Sequence, residues 1–132
     1  MMANRPQAQN EGASTPLQIL IADDEPTIVS ALEKFLTRRG HAVMTAPDAN
    51  AALLLVDRHR FDAALLDVRM PGGGLTVLEH LRNDPAFEGR VVLMTGALAT
   101  DPEIPADPRV LRMQKPFRLT EVILMVEGDG PR

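Results

Sequence analysis

The amino-acid sequence predicts an α/β fold, a doubly wound sheet of five parallel strands with helices on both faces. Three observations carry this reading. Five short runs of Val, Ile, Leu, Met and Ala recur along the chain, and runs without polar alternation suit strands that are buried on both faces. Segments with apolar residues at helical spacing stand between most of these runs. Parallel neighbours require a crossover, so strictly alternating strands and helices point to a parallel sheet.

The first run is Leu17–Ala22 (LQILIA). Asp23-Asp24-Glu25-Pro26 follows it. Pro26 suits the first turn of a helix, where a missing N–H costs nothing, and acids suit the positive end of the helix dipole. Ile28, Val29, Leu32, Phe35 and Leu36 then fall on one helical face, and Gly40 closes the helix. His41–Ala46 forms a second strand. Asp48 caps a helix running to about His59, with Ala51, Ala52, Leu55 and Val56 on its buried side. Phe61–Asp67 is the third strand, and Pro71-Gly72-Gly73-Gly74 turns tightly into a helix over Leu75–Arg82. Arg90–Thr95 is the fourth strand and Val110–Met113 a short fifth. Lys115-Pro116-Phe117 leads into a final helix ending near Glu127.

Residues 96–109 interrupt the pattern. A fourth helix belongs there, but Pro102, Pro105 and Pro108 fall within it. Prolines at that spacing remove helical donors and clash with the preceding turn. The helix expected there is shortened or irregular, or replaced by a loop.

The chain divides into a disordered, polar N-terminal tail over 1–16, one domain over 17–127 and a short C-terminal tail over 128–132. The 132 residues suffice for a single hydrophobic core. A net charge of −4 without clustered Lys or Arg argues against direct nucleic-acid binding and against an anionic membrane surface. Cysteine is absent, which excludes disulfides, thiolate metal sites and cysteine nucleophiles. The N-terminal stretch lacks the apolar core of a signal peptide, and no apolar run has the length of a bilayer span. A cytoplasmic location without membrane insertion is the expectation. Twelve arginines stand against two lysines, Lys34 and Lys115, so any specific use of Lys115 stands out.

Ligands of doubly wound sheets bind beyond the carboxyl ends of the strands. Asp23 and Asp24 follow strand one, Asp67 ends strand three, Thr95 ends strand four and Lys115 follows strand five. Taken singly, each has an ordinary reading: an aspartate as a turn former, a threonine as a turn hydroxyl, a lysine as a solvated cation. Taken together, they bring three carboxylates, a hydroxyl and an ammonium to one edge of the sheet. Such carboxylates repel one another without a counter-charge, and an oxygen-rich site of this kind suits Mg²⁺. An aspartate can serve as a nucleophile and form an acyl phosphate, while a metal and Lys115 neutralise phosphoryl oxygens.

Four motifs in order, ILIADDEP (19–26), LLDVRMPGGG (65–74), VVLMTG (91–96) and QKPF (114–117), make the chain similar to the receiver domain of two-component response regulators. The resemblance implies a flavodoxin-like receiver fold and a phosphorelay switch that is not a metabolic enzyme. It implies that Asp67 takes a phosphoryl group from a histidine kinase or phosphotransfer protein. It also implies that Asp23, Asp24, Asp67 and the backbone carbonyl of Arg69 hold Mg²⁺, that Thr95 moves toward the phosphoryl group, and that Lys115 contacts its oxygens. Pro116 matches a proline preceded by a cis peptide.

The departures are specific. The family places Tyr or Phe three residues before the lysine, and here that residue is Arg112 in a chain without Tyr. Inward rotation of an aromatic ring therefore cannot be the readout. The Gly-Gly-Gly turn is one residue short, and Arg69 puts a long cation beside Asp67. No basic helix-turn-helix follows residue 127, so output falls to contact with a downstream protein, or the chain is one piece of a longer one. Two other functions stand beside this one: a receiver-like scaffold on the same fold, independent of phosphorylation, and a metal-dependent phosphatase or phosphotransferase that also uses a strand-end aspartate as nucleophile. The phosphatase ordinarily has an acid two residues after the nucleophile, where this chain has Arg69.

Overall fold

The computed structural model describes residues 15–96 and 107–128. The expectation for 96–109 falls mainly on residues outside that description. Five strands form one parallel sheet: β1 (Gln18–Ala22), β2 (Ala42–Ala46), β3 (Ala63–Asp67), β4 (Arg90–Thr95) and β5 (Val110–Gln114), in the spatial order β2-β1-β3-β4-β5. The described helices are α1 (Pro26–Arg38), α2 (Ala49–Arg58), α3 (Gly74–Arg82) and α4 (Leu119–Glu127).

The central runs β1, β3 and β4 are buried on both sides because the sheet divides two cores, whereas the edge strands β2 and β5 are only partly covered. Leu20, Ala22, Ala64, Leu66, Val91 and Leu93 face one core with Ala52 of α2 and Val77, Leu78 and Leu81 of α3. The alternate residues Ile19, Ile21, Ala63, Leu65, Val92 and Met94 face the other, with Leu32 and Leu36 of α1 and Val122 and Val126 of α4. Successive strand side chains point to opposite faces, so each strand feeds both cores.

The expected helix ends are found with small shifts. Pro26 opens α1, and Gly40 follows its C-cap with φ +99°. Asp48 caps α2, its Oδ1 accepting from the Ala51 N–H at 2.8 Å. Helix α3 starts at Gly74, one residue earlier than the pattern suggests, after Gly72 and Gly73 take φ of +82° and +81°. Two consecutive left-handed residues make the reversal that three glycines permit. No helix among the described residues is long and apolar enough to cross a membrane.

At the far end of the sheet from these loops, α4 is tied to α1 and β2. Glu127 accepts from Arg39 Nε at 2.7 Å and Nη2 at 2.6 Å. The ring of His41 is buried, with Nε2 2.7 Å from Glu127 and Nδ1 accepting from the Leu17 N–H at 3.0 Å. A ring nitrogen that accepts carries no proton, so Nε2–H is the donor to Glu127.

Candidate functional site

The site sits at the carboxyl ends of β1, β3, β4 and β5, and the backbone ladder runs one residue past three of the strands. Asp23 N–H donates to Ala46 O at 3.0 Å, Val68 N–H to Met94 O at 3.0 Å, and Lys115 N–H to Thr95 O at 2.7 Å. These bonds hold the main chain in register up to the residues that bear the polar groups. Asp23, Asp67 and Thr95 are all buried, three of the four buried polar or charged residues among those described. Lys115 lies just beyond β5, and its peptide bond to Pro116 is cis.

Lys115 is the cation of the cluster. Its Nζ lies 2.7 Å from Glu25 Oε1, 2.9 Å from Asp23 Oδ2 and 3.6 Å from Asp67 Oδ2. Burial disfavours its charge, but hydrogen bonding to Glu25 and the adjacent Asp23 carboxylate more than offset this and push it up to about 12. Asp67 moves the other way from a normal carboxylate, up to about 6. Burial is the main cause, the Arg69 N–H bond and the Lys115 charge oppose it, and the neighbouring Asp23 and Asp24 carboxylates add to it. Arg69 N–H donates to Asp67 Oδ1 at 3.1 Å, while the Arg69 residue itself is exposed.

Asp24 is exposed and makes the smallest contribution to the raised proton affinity of Asp67. The carboxylates of Asp23, Glu25 and Asp67 form the tighter group, with one oxygen of each within 4.8 Å of the others. Glu25 thus joins the cluster although its place in the sequence suggested only a complement to the helix dipole. Its side chain makes no cap bond; its N–H donates to Asp23 Oδ1 at 2.9 Å and its carboxylate goes to Lys115. The DDEP motif is the one local hint, three adjacent acids being more than a cap requires.

The residues fit a hard divalent cation. Asp23 Oδ2 is buried and has no aligned hydrogen-bond donor, although the Lys115 ammonium is close enough to form an ion pair. A buried carboxylate oxygen without a donor is costly to maintain and well suited to a metal. The donors are all oxygens, the set that Mg²⁺ prefers over nitrogen or sulfur. Arg112, on β5, is exposed.

The model of the response regulator receiver domain matches residues 19–126. The chain belongs to the receiver domain family of response regulators. This receiver domain is 32% identical to the transcriptional regulatory protein TcrA of Mycobacterium tuberculosis, over the whole chain and 53% of the relative. It is similar to a crystal structure of NtrX from Brucella abortus, with 28% identity, a TM-score of 0.70, and coverage of 83% of this chain and 25% of that one. A receiver domain protein from Bacillus halodurans superposes with a TM-score of 0.72 at 16% identity, covering 89% of this chain and all of the other, and so supports the receiver fold. The chain spans about half the length of the curated relatives it matches.

Proposed function

We propose that this receiver domain accepts a phosphoryl group on Asp67 from a phosphohistidine of a histidine kinase or phosphotransfer protein in the cytoplasm, and signals through contact with a downstream protein. The observation that carries the reading is the burial of Asp67 at the end of a central strand, beside Asp23 and within reach of the Lys115 ammonium.

An oxygen of the Asp67 carboxylate attacks phosphorus. The P–N bond to the donor imidazole breaks, and the electron pair leaves on the imidazole nitrogen. With its proton affinity raised to about 6, Asp67 is largely ionised near neutrality and more basic than an ordinary aspartate. Both properties suit a nucleophile. Lys115 supplies positive charge to the phosphoryl oxygens, and the Thr95 hydroxyl stands at the neighbouring strand end to follow them. Asp23, Asp24, Asp67 and the Arg69 carbonyl would hold Mg²⁺, which would supply Lewis-acid neutralisation of the incoming phosphoryl group. Water attacking the acyl phosphate at phosphorus returns the carboxylate and inorganic phosphate.

A groove of about 320 Å³ opens beside Lys115, lined by Ile28, Ala31, Leu32, Pro116, Phe117 and Leu119, which gives a donor protein an apolar seat next to the acceptor. An exposed cation at Arg69, where a phosphatase would carry its general acid, weighs against hydrolysis of external phosphate esters. Incubation with acetyl phosphate and Mg²⁺ should add one phosphoryl mass to the intact protein, and Asp67→Asn should abolish the adduct. An undiminished adduct on that variant would move the acceptor elsewhere.

A further inference from the structure

Lys115 has three N–H donors and faces three carboxylates, and the distances rank them. The shortest contact, 2.7 Å, goes to Glu25, and the longest, 3.6 Å, goes to the acceptor Asp67. Glu25 reaches the lysine because of how α1 begins. Pro26 occupies the first turn, Glu25 stands before it in extended backbone (φ −99°, ψ 106°), and no cap bond claims its carboxylate. Its N–H is anchored on Asp23 Oδ1 at 2.9 Å, so the side chain leaves the backbone from a defined point. The Glu25 side chain is 55% exposed, whereas the lysine side chain is 15% exposed.

We propose that Glu25 is a positioning residue that parks Lys115 away from Asp67 in the resting domain and must release it before the lysine contacts a phosphoryl oxygen. This inference rests on the phosphoacceptor reading. One donor of Lys115 is committed to Glu25, and the ammonium is ion-paired with Asp23, before any phosphoryl group arrives. A divalent cation on Asp23 competes with the ammonium for Oδ2, the buried oxygen with no aligned donor. Glu25 then remains as the restraint on the lysine. Its exposure keeps that restraint weak, since water can take over the carboxylate as the ammonium leaves. Glu25 in this role sets how readily Lys115 changes partners, without touching the reacting atoms.

The chain offers an unusually clean test because Lys34 and Lys115 are its only lysines. In a ¹⁵N-lysine-labelled sample without phosphoryl donor, Glu25→Gln should shift the Lys115 ammonium resonance and leave that of Lys34 in place. With acetyl phosphate at saturating Mg²⁺, Glu25→Gln should be phosphorylated about two- to five-fold faster, the range that an ion pair with one exposed partner supports. In a Lys115→Ala background the same substitution should change nothing. Equal rates for Glu25→Gln and wild type, or an unmoved Lys115 resonance, would overturn the inference alone. A gain that persists without Lys115 would assign Glu25 to plain charge repulsion and overturn it as well. A wild type that takes up no phosphoryl group would instead defeat the phosphoacceptor reading on which the inference stands.

Discussion

Gly74 lies directly against the main chain of Asp67: a Cβ built on it would stand 2.5 Å from the Asp67 carbonyl oxygen and 2.9 Å from its carbonyl carbon. Neither neighbour is the end of a flexible side chain, so the backbone itself would have to move. The glycine that opens α3 thus fixes how closely that helix seats behind the acceptor strand.

Gly74→Ala should therefore destabilise the domain by about 1–3 kcal/mol, the usual cost of overpacking, and slow phosphorylation by displacing Asp67. Gly96→Ala is the control, because a Cβ there meets nothing within 4 Å. Thermal unfolding of the two variants checks this. Equal midpoints would show that α3 yields without strain.

Asp67 carries a second expectation, in stability against pH. Its folded value of about 6 exceeds the ordinary 3.8, so between those limits the folded state binds more protons than the unfolded state. Stability from this group is then fully present near pH 4 and lost as pH rises through 6. Asp67→Asn removes the buried charge and should stabilise the metal-free protein by on the order of 2 kcal/mol at pH 7.5, with a smaller margin at pH 5. Millimolar Mg²⁺ should stabilise wild type more than the variant, since only the full carboxylate set binds it well. A margin that is constant from pH 5 to 7.5 would contradict the raised proton affinity.

Glu127 behaves in the opposite sense. Burial alone would raise its proton affinity, but hydrogen bonds from Arg39 and His41 outweigh that and lower it. A depressed carboxylate contributes stability that is present above its unfolded value of about 4.5 and lost as pH falls through the folded one. Glu127→Ala should cost about 3 kcal/mol at neutral pH, because it removes the carboxylate that the Arg39 guanidinium and the His41 ring N–H share. The acid limb of the stability profile below pH 4.5 should flatten at the same time. Phosphorylation of the folded variant should be unchanged, since the network lies at the other end of the sheet. Urea unfolding across pH 3–7 distinguishes this from a surface ion pair, whose loss would be nearly silent.

Local chemistry was enough to read the strands, most helix ends and the polar residues that follow the apolar runs. Periodicity, caps and turn glycines act within a few residues, so Pro26, Asp48 and the Gly72-Gly73-Gly74 turn announce themselves in the linear chain. The rule that doubly wound sheets bind ligands beyond their strand ends placed Asp23, Asp24, Asp67, Thr95 and Lys115 at one edge, and the strand order β2-β1-β3-β4-β5 is that of such a sheet. What pairs with what across that edge belongs to the tertiary structure alone. Glu25 meets Lys115 over 90 positions, and His41 meets Glu127 over 86. No spacing rule spans such distances. The raised proton affinity of Asp67 has the same origin, because it comes chiefly from burial, which exists only once β3 is enclosed between its neighbours and covered by helices on both faces.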